Sequence, residues 1–237
     1  MRRKRLIILL ITILPICIAG GVGWYYLLQR PCNKIEIIGT EYVDPESVHK
    51  LIEAVFSAPL AVDRLQRHPW IRGVRAVCYP TGTLQIKIQE RLPRLLVLTS
   101  KGDPAYYLDE FSYMMPISSD VIFDVPLVRG ITGSYNPLLP IRDSKVQNLT
   151  TLLSRLPAEI TSLISEIELT ENGAKTVMRF TGLTQTTVVL LGHEDWEKRL
   201  LRLYAFWNQG DWPLGDQAVA LIDLRFRGQI ITREIPI

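Results

Sequence analysis

His193-Glu194-Asp195 is the one place in the chain where an imidazole sits directly beside carboxylates. Three adjacent residues at the start of a helix do not converge on a point as an i, i+4 ligand pair does, so the cluster does not read as a metal site. Glu194 and Asp195 read instead as acids favoured by a helix amino terminus. Only two further histidines exist: His49 falls in a helical pattern and His68 stands before Pro69, so both read as surface or packing residues. No G-x-S-x-G nucleophile elbow, P-loop, dinucleotide glycine pattern or paired-cysteine metal spacing occurs. The residues therefore point away from catalytic, cofactor-binding or metal roles and towards binding other macromolecules.

Charge narrows the partners. Four of the 27 basic residues are Arg2, Arg3, Lys4 and Arg5, and the remainder carries 23 basic against 24 acidic residues. That balance gives no polybasic face for nucleic acid. Directly after the basic cluster, Leu6 to Leu28 runs 23 residues without a charge. As a helix it would span roughly 34 Å, against about 30 Å of bilayer hydrocarbon. A cleaved signal peptide has a shorter apolar core of about 7 to 15 residues, so the run reads as an uncleaved anchor. Basic residues stay inside, and Trp24, Tyr25 and Tyr26 suit the far interface. The expected layout is a cytoplasmic tail at 1–5, a transmembrane helix at 6–28 and everything beyond it outside the cytoplasm.

Of the three cysteines, Cys17 lies within the apolar run, leaving Cys32 and Cys78 on the oxidising side. A bridge between them is open, but nothing in the sequence fixes their separation. Two separate thiols, one juxtamembrane and one a small strand residue, is the reading favoured here.

The exported part begins with KIEIIGT, a β-branched strand closed by Gly39. Asp44-Pro45 then gives a capping carboxylate followed by proline at the first helical position. Val48, Leu51, Ile52 and Val55 continue at helical spacing, and a second short helix carries Ala61, Val62 and Leu65. Past Pro69 and Trp70, VRAVCY is strand-like, Pro80 to Thr83 is turn chemistry, and Leu84, Ile86 and Ile88 alternate with polar residues. A β-α-α-β-β unit follows, with Leu84, Ile86 and Ile88 facing its core. Trp70 is either a partner-binding hot spot or, as its flanks Pro69 and Ile71 favour, a packing residue where the second helix meets the sheet.

Residues 94–237 offer eight strand candidates: LLVL, AYYLD, PLVRG, ISEIEL, KTVMRF, TTVVLL, AVALIDLRF and QIITREI. Two helices are interposed, Lys145 to Leu156 and Asp195 to Gln209. The second carries Trp196, Leu200, Leu203, Tyr204 and Trp207 on one stripe, which reads as core-facing. The fold class expected is α+β: a transmembrane helix, the β-α-α-β-β unit at 33–92, then a larger antiparallel β domain at 93–237 with two flanking helices.

This order resembles the FtsQ/DivIB bacterial cell-division family. The resemblance rests on Ile35, Ile37 and Gly39, on Pro69-Trp70-Ile71, on Val74, Val77, Pro80, Leu84 and Ile86, and on Glu90-Arg91 with Pro93. It continues through Asp109-Glu110, VPLVRG at 125–130, LLGHEDWEKRLLRLYAFW at 190–207 and ALIDLRFRGQIITR at 220–233. One departure is Ser112, which stands where the family pattern suggests a turn glycine.

The resemblance implies a POTRA domain followed by an FtsQ-type β domain, in a scaffold of the inner membrane rather than an enzyme. No cofactor and no small-molecule substrate are expected. A terminal strand with no successor can leave a sheet edge open to a partner's strand, or it can be internal or an idle, charge-blocked edge. On the residues alone these readings stand level. The resemblance favours the open edge, with FtsB/FtsL-like bitopic proteins adding a strand there and other divisome membrane proteins meeting the POTRA domain. It places the partner site at Arg225 and Phe226 on the penultimate strand and at Gln229, Ile230, Ile231, Thr232, Arg233, Glu234 and Ile235 on the last. Two other classes remain: a tethered POTRA module handing over extended polypeptides, and an exported hydrolase needing His68 or His193.

Overall fold

The computed structural model describes residue 32 and residues 34–53, 57–118, 121–170, 173–178, 187–209 and 219–234. The expected spanning run, Leu6 to Leu28, lies outside these. Among the described residues no helix is long and apolar enough to cross a membrane. The chain divides into two compact units between Glu90 and Arg91.

The first unit runs β1 (Lys34–Ile38), α1 (Pro45–Ile52), α2 (Ala58–Leu65), β2 (Ile71–Cys78) and β3 (Thr83–Glu90), the order read from the sequence. Asp44 caps α1 through both carboxylate oxygens, taking the N–H of Glu46 and of Ser47. The sheet order is β1-β3-β2, with β1 parallel and β2 antiparallel to the central β3. Leu84, Ile86 and Ile88 on β3 are buried with Val48, Ile52, Ala61 and Leu65 from the helices. Each such side chain contributes about 1.5–3 kcal/mol on leaving water. Trp70 is buried with them, so it is a packing residue and not a surface anchor.

Gly39 closes β1 for a steric reason. Its φ is +90°, and a Cβ there would sit 2.4 Å from the carbonyl oxygen of Ile88. The chain turns away from β1 into a carboxylate: Glu90 Oε1 accepts from the N–H of Glu41, Tyr42 and Val43 at 3.0, 3.1 and 2.8 Å. The last residue of β3 thus fixes the loop that leads into α1.

Cys32 and Cys78 form a disulfide, with Cα atoms 6.2 Å apart. This corrects the expectation of two separate thiols. The strand pairing supplies what sequence could not: Lys34 at the start of β1 lies beside Thr83 at the start of β3. Cys32, two residues before β1, is thereby brought near the turn end of the β2–β3 hairpin, where Cys78 closes β2.

Among the described residues, the strands of the second unit form one nine-stranded sheet. Its strands are β4 (Leu95–Leu98), β5 (Pro104–Leu108), β6 (Met114–Met115), β7 (Leu127–Arg129), β8 (Ile164–Thr170), β9 (Gly173–Met178), β10 (Thr187–Gly192), β11 (Val219–Asp223) and β12 (Ile231–Glu234). The spatial order is β12-β11-β10-β9-β8-β7-β4-β5-β6. The sheet is mixed rather than antiparallel, because β4–β7, β7–β8 and β10–β11 pair in parallel. The reason is connectivity, since a helix lies in sequence between β7 and β8 and between β10 and β11, and such crossovers return the chain in the same direction.

Two long helices, α3 (Ser144–Arg155) and α5 (Trp196–Asn208), accompany the sheet, with one extra turn, α4 (Ala158–Thr161). Val146, Leu149, Leu152 and Leu153 of α3 and Trp196, Leu200 and Leu203 of α5 enter one core with the sheet's apolar residues. The stripe read on the second helix is core, as its spacing indicates. Gly130, at the end of β7, has φ +86°, and a Cβ there would overlap the Leu169 carbonyl at 2.0 Å.

At the start of this unit Arg91 and Asp109 form an ion pair at 2.5 Å, their side chains 11% and 2% exposed. Asp109 Oδ1 also accepts from the N–H of Phe111 and of Tyr113 at 2.9 and 2.8 Å, which builds the β5–β6 turn. Ser112 takes the left-handed conformation, φ +64°, that the glycine of the family pattern would take more easily. Its buried hydroxyl meets that of Thr150 on α3 at 2.9 Å, an interaction no glycine could make.

Candidate functional site

The residues that could have done chemistry do not assemble. His193, Glu194 and Asp195 are exposed at the start of α5, and Asp195 makes no capping bond to the helix. Asp195 instead lies 3.3 Å from Lys198, while the Trp196 indole donates to the carbonyl of Gly192 at 2.8 Å. His68 Nδ1 accepts the N–H of Trp70 at 3.3 Å, and burial lowers its pKa. Among the described residues no group of three His, Cys, Asp or Glu could hold a metal ion. A groove of about 700 Å³ in the second unit is lined by Arg94, Tyr107, Phe123, Asp124 and three serines among apolar neighbours, without histidine or cysteine.

The end of the sheet is different. β12 is the terminal strand of the nine, hydrogen-bonded to β11 and, among the described residues, to no other strand. Register pairs Asp223 with Ile231, Ile222 with Thr232, Leu221 with Arg233 and Val219 with Glu234, with an irregularity between the last two pairs. Ile222 and Leu224 anchor the hairpin in the core, and Ile230 packs partly buried against the same cluster. Ile231 then turns outward, 42% exposed, followed by half-buried Thr232 and exposed Arg233.

The connection between β11 and β12 is held by charge. Arg225 Nε lies 2.9 Å from Asp223 Oδ1, and its Nη2 lies 2.6 Å from Oδ2. The same carboxylate takes the N–H of Arg225 at 3.0 Å. The hydrogen bond from the Arg225 guanidinium, outweighing the opposing effect of burial, holds the Asp223 carboxyl below its ordinary pKa. From α5, Arg202 Nη2 reaches the carbonyls of Leu224 and Gln229 at 3.4 and 3.3 Å. The helix thereby fixes both ends of the turn.

This arrangement corrects part of the sequence reading. β11 ends at Asp223, so Arg225 and Phe226 belong to the connection and not to the penultimate strand. Gln229 and Ile230 also precede β12, which comprises Ile231, Thr232, Arg233 and Glu234. Ile235 lies outside the described residues. Asp223 recruits Arg225 locally and turns the chain out of the strand two residues before apolar alternation would end it. Phe226 is left 50% exposed at the tip. Sequence reasoning had no role for Arg202, and its place on the polar face of a helix gave no signal for one.

The described residues thus form an α+β chain with a β-α-α-β-β unit and a large mixed sheet whose terminal strand is paired on one side. Residues 93–233 match the sequence profile described as FtsQ/DivIB, C-terminal related. The chain is 38% identical over 240 aligned residues to a cell division protein FtsQ of Rhodothermus marinus, covering 98% of this chain and 88% of that one. It is 30% identical to a cell division protein FtsQ of Salinibacter ruber, over 92% of this chain and 88% of the other. The extracytoplasmic domain of the cell division protein DivIB from Geobacillus stearothermophilus, a solved structure, aligns at 14% identity over 49% of this chain and 91% of that one, with a TM-score of 0.34. The chain belongs to the FtsQ/DivIB family of cell division proteins.

Proposed function

We propose that this protein is a non-enzymatic scaffold of the bacterial division machinery, anchored in the inner membrane by Leu6 to Leu28 with its amino terminus inside. The first unit is its POTRA domain and the second its FtsQ-type β domain, both on the periplasmic side. Small bitopic division proteins of the FtsB/FtsL kind add a strand to the outer edge of β12, and other divisome membrane proteins meet the first unit. The membrane confines all of them to one surface, so modest individual affinities combine through high effective concentration.

The observation that carries this reading is the position of β12, last in the sheet and paired on one side among the described residues. Backbone donors and acceptors along such an edge are those a partner strand needs, and exposed Ile231 and Phe226 offer apolar contacts beside them. The Asp223–Arg225 clamp and the reach of Arg202 keep the edge in a fixed place, which lowers the entropy lost on binding.

The test is capture of purified periplasmic segments of the FtsB and FtsL type by residues 30–237, comparing wild type with Ile231→Pro and Thr232→Pro. Successive residues of an edge strand point their amides alternately inward and outward, so one proline breaks the bond to β11 while the other removes only the outward donor. Loss of binding in a variant whose unfolding midpoint is unchanged supports strand addition. Retained binding in both variants moves the partner site elsewhere, and no binding by wild type removes these partners.

A further inference from the structure

Two independent contacts bring one surface loop of the first unit to the point where the chain arrives from the anchor. The disulfide joins Cys32 to Cys78 at the end of β2. Separately, the N–H of Lys34 donates to the carbonyl of Gly82 in the β2–β3 turn at 3.2 Å. The uncharged run ends at Leu28, four residues before Cys32 and six before Lys34. A fully extended chain covers no more than about 3.5 Å per residue, so Cys32 lies within about 14 Å of the end of that run and Lys34 within about 21 Å. With 6.2 Å between the disulfide Cα atoms, Cys78 lies within about 20 Å of it.

The loop so tethered is apolar where it is exposed. Val77 and Tyr79 are 51% and 43% exposed, with Pro80 and Thr81 also open to solvent. The whole hairpin from Ile71 to Gln89 carries Arg72, Arg75 and Lys87 and no acidic residue. An exposed tyrosine two residues from an exposed valine suits the boundary between lipid headgroups and acyl chains; the Tyr79 hydroxyl donates to Gln85 Oε1 at 3.3 Å, so its polar end stays with polar neighbours.

We infer that the tip of the β2–β3 hairpin, Val77 and Tyr79 with the Pro80-Thr81 turn, rests in the headgroup layer of the membrane that holds the anchor. The first unit is thereby set on the bilayer with its three strands rising from it, rather than swinging on a free tether. This rests on the anchor reading above. The lipid surface is the favoured occupant because the tether keeps Cys78, at the base of the tip, within about 20 Å of the end of the uncharged run, and the tip's exposed side chains Val77 and Tyr79 are apolar.

The experiment uses the full-length chain in vesicles of phosphatidylethanolamine and phosphatidylglycerol, with the photoreactive residue p-benzoylphenylalanine placed singly at 77, 79, 72 or 14. Position 72 lies on the same strand as the tip but about 23 Å from residue 79 along it; position 14 is in the uncharged run. After irradiation, lipid adducts are counted by mass spectrometry. The expected result is strong labelling at 14 and several-fold more adduct at 77 and 79 than at 72. Labelling at 14 with no excess at 77 and 79 over 72 overturns the proposal and leaves the anchor standing. No labelling at 14 removes the anchor, and the proposal with it.

Discussion

Replacing Asp109 by alanine deletes three acceptor interactions at once: the ion pair to Arg91 and the bonds from the N–H of Phe111 and of Tyr113. Arg91 would stay behind, 11% exposed, its guanidinium still 4.0 Å from the Tyr113 ring centroid but without a counter-charge. Removing one member of a buried pair typically costs about 3–5 kcal/mol, because the remaining charge is stranded. That is a large part of the 5–15 kcal/mol that stabilises a typical domain, so Asp109→Ala should leave the second unit barely folded. The Arg91→Met/Asp109→Leu double variant should recover the part of the loss due to the stranded charge, but not the bonds from the N–H of Phe111 and Tyr113. Arg91 Nε already has no hydrogen-bond partner, so deleting the whole guanidinium also removes that burial cost. Urea unfolding of residues 30–237, followed by tryptophan fluorescence with buried Trp196 as reporter, measures each midpoint. A loss below about 1 kcal/mol for Asp109→Ala would refute the stranded-charge argument. So would a double variant as unstable as the sum of the single ones.

Three further outcomes follow from the structure, the first being the β12 proline pair already described. Reduction of Cys32–Cys78, which spans 46 residues, should lower the stability of the first unit by about 4 kcal/mol in the loop-entropy account. Denatured full-length protein should then titrate one thiol, Cys17, before reduction and three after it; three beforehand would exclude the bridge. His68 is neutral in the folded state because burial lowers its pKa, and its Nδ1 must stay unprotonated to accept the Trp70 N–H. The stability it supports is therefore complete above about pH 6.5, the unfolded value, and declines as pH falls towards the lower folded one. His68→Asn, which keeps an acceptor but cannot titrate there, should flatten that decline, and identical pH profiles for the two proteins would sink the assignment.

Much of the first unit was legible because its signals are local. Asp44-Pro45 states a helix start, Gly39 a strand end, and Leu84, Ile86 and Ile88 a one-sided strand. The second unit's strands were legible one by one, but not their directions, since parallel pairing of β4 with β7 or β10 with β11 depends on crossovers that no short stretch encodes. The same limit hid the disulfide, whose geometry is set by β1 lying beside β3. At the candidate edge, alternation carried the strand reading past Asp223. The carboxylate of Asp223 overrode it by turning Arg225 back onto itself.

Glu90 and Arg91 are neighbours in sequence, yet the first spends its carboxylate on the N–H groups of residues 41–43 and the second its guanidinium on Asp109. Each of these two side chains is satisfied within its own unit, so a cut between them strands neither charge. Such a seam suits recombination: exchanging the first unit between relatives, or producing either half alone, leaves both of these charges paired.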